Sequence, residues 1–165
     1  MRRATLIVLV MLALAASAVA QNKLSAAAQC GKAEKDYRIE VSDRAGHAFE
    51  ITQGKCAFTK GEVEGIQIKE GTYTNFAEIS GDAARGRYTG VVTMGNGDKV
   101  YERGEFTIAL KGGVAQTEEG KWSYSGGTGK FKGLTGKGTW KLKFAADGTG
   151  LVEGEGEYTL PAVKK

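Results

Sequence analysis

From Leu134 to Leu160 the chain alternates with a period of two. Leu134, Gly136, Gly138, Trp140, Leu142 and Phe144 alternate with Thr135, Lys137, Thr139, Lys141 and Lys143. After the break AADGTG, Val152, Gly154, Gly156, Tyr158 and Leu160 alternate with Glu153, Glu155, Glu157 and Thr159. That period predicts two strands, each with one buried and one wet face. A turn around Asp147-Gly148-Thr149 sets Lys143 opposite Glu153 and Lys141 opposite Glu155 on the wet side. On the other side Trp140 faces Gly156, Leu142 faces Gly154, and Gly138 faces Tyr158. Opposite charges across strands add about 0.2–1 kcal/mol each, and a one-residue slip would break both sets. Large residues against glycines suit the concave wall of a small closed barrel.

The same alternation runs upstream. A first strand spans Ala48 to Phe58, with Phe49, Ile51 and Gln53 on one face. A long run from Val63 to Ile79 shifts parity near Gly71, which predicts a bulge or bend. Arg87–Met94 and Lys99–Leu110 flank Gly95-Asn96-Gly97-Asp98, where Asn-Gly is a strong hairpin signal. Gly112-Gly113 turns the chain back into Val114–Ser125. Seven strands result, with an eighth available by splitting the long run. The expected fold is all-β: one closed antiparallel up-and-down barrel of about eight strands.

Chaining these hairpins puts Tyr88, Val92, Tyr101, Arg103, Glu105, Trp122 and Tyr124 on one face. Val91, Val100, Phe106, Ile108 and Leu110 fall on the other. Both faces carry apolar residues, so periodicity leaves the inward side open. Trp122, costly to expose, favours the first set. Arg103 and Glu105 would then form a charged pair among aromatic rings, with Trp140 also in the wall, as in a small-molecule pocket.

The first 20 residues read as a signal peptide, with Arg2 and Arg3, an apolar core over Leu6–Ala16, and Ala18-Val19-Ala20 before Gln21. That core is shorter than the roughly 20 residues of a spanning helix, so no membrane insertion is expected. The division is then 1–20 signal peptide, 21–45 N-terminal extension, 46–160 barrel and 161–165 tail, in a periplasmic or secreted protein. The extension is Ala-rich and suggests one helical turn. Losing Arg2 and Arg3 takes the formal net charge from +4 to +2. The remaining Lys and Glu interleave, giving a mixed wet surface and no nucleic-acid stripe. With 25 glycines and one proline, and aromatic and branched residues at strand spacing, the composition fits an all-β domain better than a disordered chain.

Cys30 and Cys56 are an even count in a chain with a secretion signal, so a bridge is expected, stabilising by about 3–4 kcal/mol in the chain-entropy model. Without C-x-x-C, and with a single histidine, a redox or metal pair is the weaker reading.

Chemical motifs mostly fail. In Gly129-Lys130-Phe131 and Gly136-Lys137-Gly138 the Walker Ser/Thr is missing, and Tyr124 and Phe131 stand where its first glycine belongs. Gly127-x-Gly129 lacks the third glycine of a dinucleotide loop. His47, the sole histidine, excludes multi-histidine metal sites, and a surface or hydrogen-bonding role explains it better than catalysis. The Glu153-Glu155-Glu157 row is a wet ladder, since calcium needs converging oxygens. No catalytic residue, metal site or cofactor is implied.

Five segments, CGK, DRAGHAFEITQGKC, MGNGDKVYERGEF, EGKWSYSGGTGKFKG and VEGEGEYTL, together resemble small secreted bacterial proteins with an allene oxide cyclase or dirigent-like barrel. In such barrels a strand ends in Gly-Gly-Thr-Gly, a one-turn excursion follows, and the next strand starts at Gly-x-Gly. The resemblance spans Cys30 to Leu160 and implies an eight-stranded barrel. It implies no catalysis, because the plant enzymes' functional positions find no match here, and one barrel fold hosts many chemistries. Three functions follow as expectations. The first is a barrel binding a small apolar or aromatic ligand through Tyr88, Tyr101, Arg103, Glu105, Trp122, Tyr124 and Trp140. The second is an isomerase or cyclase using Tyr101, Arg103 and Glu105. The third is an extracellular structural or stress-related protein with a filled core. Oligomeric state is not legible.

Overall fold

The structure is a computed structural model that describes residues 21–161. The expected signal peptide over residues 1–20, and residues 162–165, lie outside them. Ten strands form: β1 Asn22–Cys30, β2 Lys35–Glu40, β3 His47–Lys60, β4 Glu62–Val63, β5 Ile66–Ser80, β6 Ala83–Met94, β7 Lys99–Lys111, β8 Val114–Gly127, β9 Thr135–Phe144 and β10 Gly150–Thr159. Eight of them close a barrel in the order β1-β10-β9-β8-β7-β6-β5-β3 and back to β1, each pair antiparallel. The all-β barrel expected from alternation is therefore present. The Gly-Gly-Thr-Gly excursion is there too, as a 3-10 turn over Gly129–Phe131 between β8 and β9.

The eighth strand comes from an unexpected place. Residues 21–45, expected to be an extension with a helical turn, supply β1 and β2. β1 joins β10 along nine residue pairs, from Asn22↔Tyr158 to Cys30↔Gly150, and so closes the barrel. Its inward side is Leu24, Ala26 and Ala28. Alanine has high helix propensity, but the open edges of β3 and β10 offer a full ladder of backbone bonds, and tertiary pairing overrides propensity. The long run is broken near its start, where Glu64 and Gly65 turn the chain between β4 and β5. The rest is one strand, and the irregularity expected near Gly71 falls between Ile68 and Glu70.

The β9–β10 register differs from the expected one by two residues. Lys141 faces Glu153, Lys137 faces Glu157, Trp140 faces Gly154, Leu142 faces Val152, Gly138 faces Gly156, and Gly136 faces Tyr158. The turn centres on Asp147. Ala145 N–H donates to Thr149 O at 2.8 Å, and the Asp147 carboxylate accepts from the Thr149 amide (3.0 Å) and hydroxyl (2.7 Å). An even-numbered shift keeps every side chain on its face. Inward and outward sets survive although the individual partners changed.

Two turns decide which side of β7 looks inward. Around Asn96 the loop is three residues long, because Met94 N–H donates to Asp98 O and Val92 stands opposite Val100. Even-numbered residues of β6 therefore share a face with even-numbered residues of β7. After the two-residue Gly112-Gly113 turn, with φ of +57° and +78°, a bulge at Gln116 adds one residue to β8. Ala115 lies opposite Leu110 but Thr117 opposite Ala109. The two one-residue differences cancel for β8 and not for β7. Tyr88, Val92, Trp122 and Tyr124 point inward as expected. Tyr101, Arg103 and Glu105 point out, and Val100, Glu102, Phe106 and Ile108 replace them.

One end of the barrel is filled. Val63, Met94, Val100, Phe131 and Leu134 are essentially inaccessible there, beside the turns leading into β5, β7 and β9. At the other end β2 extends the sheet beyond the closed ring, pairing with the first half of β3. Cys30 and Cys56, directly opposite on β1 and β3, form the expected disulfide near this end.

Candidate functional site: an aromatic lumen with buried carboxylates

Above the filled end the barrel encloses a cavity of about 320 Å3. Its wall carries Tyr73, Tyr88, Trp122, Tyr124 and Trp140 together with Leu24, Phe58, Ile68, Val92, Ile108 and Leu142. It opens toward the disulfide end, past Gly31, Gly54, Lys55 and Gly148. Of the sequence-predicted ligand residues, Tyr88, Trp122, Tyr124 and Trp140 line this space. Tyr101, 41% exposed, and Arg103 and Glu105 are on the outer wall, where Glu105 meets Lys121 at 3.9 Å. The predicted Arg103–Glu105 pair in the lumen is thus overturned by the parity of β7.

Glycines hold the rings against the wall. A Cβ on Gly138 would fall 2.6 Å from the Trp122 indole, one on Gly90 would lie 2.7 Å from the Tyr73 ring, and one on Gly104 would meet Tyr88 at 2.5 Å. Each ring therefore lies over a neighbouring strand with no side chain of its own there, an arrangement that fills glycine gaps with aromatic surface. The rings also pack on one another. Tyr88 and Trp140 meet edge-on with centroids 5.1 Å apart, Tyr73 and Tyr88 at 5.6 Å, and Trp122 and Tyr124 at 4.7 Å, separations within the favourable range for aromatic pairs.

Two glutamates missed at the sequence level face the same space. Glu102 on β7 accepts the Tyr88 hydroxyl proton at 2.7 Å. Burial pushes its carboxyl up to about 7, only partly offset by that hydrogen bond. Burial likewise pushes Glu118 on β8 up to about 7, opposed by the Trp140 indole. Nearer the mouth, burial raises Glu50, with Asp36 reinforcing and Arg38 opposing. Burial and then the Glu102 charge drive the Tyr73, Tyr88 and Tyr124 hydroxyls upward, so all three phenols stay protonated. The signal for Glu102 was present in the β7 sequence. It sits in Val100-x-Glu102-x-Gly104-x-Phe106-x-Ile108, the more apolar parity of that strand.

The remaining candidates have structural roles. The Gly-Gly-Thr-Gly-Lys loop wraps the chain's own carboxylate: Asp98 accepts the Lys130 amide at 3.1 Å, and Thr128 Oγ1 accepts from the Lys99 amide at 2.8 Å. His47 is buried on the outer side of β3, away from the lumen. Its Nδ1 lies 2.5 Å from Asp43 and its Nε2 3.0 Å from Glu78, and Arg44 joins both carboxylates. The hydrogen bond to His47, helped by Arg44, holds the Asp43 carboxyl low. Among the described residues no cluster of three His, Cys, Asp or Glu side chains is arranged to hold a metal ion, and no helix is long and apolar enough to cross a membrane.

No protein-family model and no curated protein matches the chain.

Proposed function

We propose that this is a periplasmic or secreted barrel, of the allene oxide cyclase or dirigent-like kind, that binds a small apolar or aromatic molecule in its lumen. One observation carries the reading: the lumen is hollow and lined by five aromatic side chains pinned over glycines. Its volume of about 320 Å3 falls at the lower end of the roughly 300–1,000 Å3 typical of small-molecule sites. A structural protein needs no such space, since an unfilled apolar cavity weakens a core. The cyclase alternative loses Tyr101, Arg103 and Glu105, which face away from the lumen. The disulfide supports an oxidising compartment. Native mass spectrometry of protein purified from its own host tests the proposal. A retained small molecule, released on denaturation, is the expected result. An empty lumen together with no saturable Trp122 or Trp140 quenching by any apolar probe would overturn it.

A further inference from the structure

Among the described residues, the charges facing the lumen all have one sign, apart from a single lysine at the rim. Glu102 and Glu118 lie within it and Glu50 nearer its mouth, whereas Lys55 is the one basic lining residue and is bound to Glu34 at 3.0 Å. Arg38, on the β2 extension, is taken up by Glu40 at 2.6 Å. Tyr88 is the one side-chain donor that reaches Glu102 among the described residues. Around these acids stand the faces and edges of Tyr73, Tyr88, Trp122 and Trp140.

Resting on the lumen-binding reading, we infer that the guest is a cation: an ammonium group, primary or quaternary, joined to a small apolar body. A buried carboxylate without a partner is costly, and a cation seated beside it relieves that cost. Aromatic faces attract the same cation through their quadrupoles, most of all when water is excluded. A fatty acid or other anion would instead enter among three carboxylates, where the one lysine of the described lining is already bound to Glu34. A neutral guest would leave Glu102 with the Tyr88 hydroxyl and Glu118 with the Trp140 indole, and neither with a cation. The apolar wall takes the body of the ligand, and the Glu102–Glu118 region takes its charged head.

The groups that set the pH response are few. Glu102 is faced by Tyr73 and Tyr88 from β5 and β6 and by Tyr124 from β8. Glu118 is faced by Trp140 from β9 and by Tyr88. Glu50, with Asp36 and Arg38 beside it, and Lys55 with Glu34 stand at the mouth. Burial holds Glu102 and Glu118 up to about 7 and keeps the tyrosine hydroxyls protonated, so these two carboxylates set the response.

Three probes with one eight-carbon chain test the inference by fluorescence of Trp122 and Trp140, the two tryptophans of the sequence. They are octyltrimethylammonium, 1-octanol and octanoate, each below its aggregation threshold. At pH 8 the ammonium should bind about tenfold or more tighter than octanol, a difference of about 1.4 kcal/mol, and octanoate should bind weakest. Between pH 8 and pH 5 the ammonium should lose about tenfold in affinity while octanol changes little. In the Glu102→Gln/Glu118→Gln variant, its folding checked by a thermal melt, the preference should vanish at both pH values. Octanol binding as tightly as the ammonium, or an unchanged preference in the variant, overturns the cation while leaving lumen binding intact. Saturation by none of the three overturns both.

Discussion

The Tyr88 hydroxyl donates to Glu102 Oε1 at 2.7 Å across the β6–β7 hairpin, inside a wall built mainly of rings and aliphatic chains. That pairing, with Glu118 nearby, makes stability depend on pH in an unusual direction. Both carboxyls rise from 4.5 to about 7 on folding, so the folded chain holds the extra protons between those values. Their contribution is fully present below about pH 4.5, is lost as pH rises through 7, and is level above it. The loss is on the order of 3 kcal/mol per group. Urea midpoints should therefore fall from pH 5 to pH 8. In Glu102→Gln/Glu118→Gln most of the fall should disappear, with Glu50 left to contribute the remainder, and the variant should be more stable than the parent at pH 8.

Two glycines on the inner wall should respond oppositely to a single methyl group. At Gly138 a Cβ would press into the Trp122 indole at 2.6 Å and against the backbone of Glu155. At Gly154 the nearest atoms, Thr139 O at 3.5 Å and Trp140 Cβ at 3.7 Å, are at ordinary contact distance. Gly138→Ala should cost about 1–3 kcal/mol as an overpacked site and shift tryptophan emission. Gly154→Ala should be neutral or stabilise by up to about 1 kcal/mol. Chemical denaturation followed at both tryptophans separates the two outcomes.

Removing the Cys30–Cys56 bridge, as Cys30→Ala/Cys56→Ala, frees a loop whose ends are 26 residues apart. The chain-entropy model puts the loss at about 3–4 kcal/mol. The two residues sit opposite each other where β1 meets β3, so hydrogen exchange should accelerate first in β1 and the second half of β3. Equal acceleration throughout the barrel would contradict that placement.

His47 ties the connection before β3 to β5 through Asp43 and Glu78. His47→Ala leaves Glu78 with Arg44 alone on that side. The loss should be about 1–3 kcal/mol for a broken buried hydrogen-bonding group, and residues 42–46 should become the first site of proteolytic cutting. Ligand binding in the lumen should be unaffected, because His47 faces away from it.

Legibility followed the physics of each segment. The tail from Thr135 to Thr159 was readable because its alternation is long and its glycines and rings share a parity. Its partners were displaced by two because a five-residue turn has more than one plausible centre, and the Asp147–Thr149 hydrogen bonds choose it. On β7 the inward side was misread because parity is carried through turns, and two one-residue details decide it. These are the three-residue loop at Asn96 and the bulge at Gln116. Since they cancel at β8, Trp122 and Tyr124 were placed correctly for an incomplete reason. β1 stayed hidden because Leu24-x-Ala26-x-Ala28 is too small in side chain to announce a core-facing strand. Glu102 and Glu118 were hidden because a glutamate on a strand ordinarily marks the wet face.

Because Val63, Phe131 and Leu134 stop the far end, the barrel is a cup rather than a tunnel. Anything that enters must leave by the way it came. How long a visitor stays is then governed at the brim, where the cystine, Gly54 and the Asp147 turn stand, more than by the affinity of any single residue at the bottom.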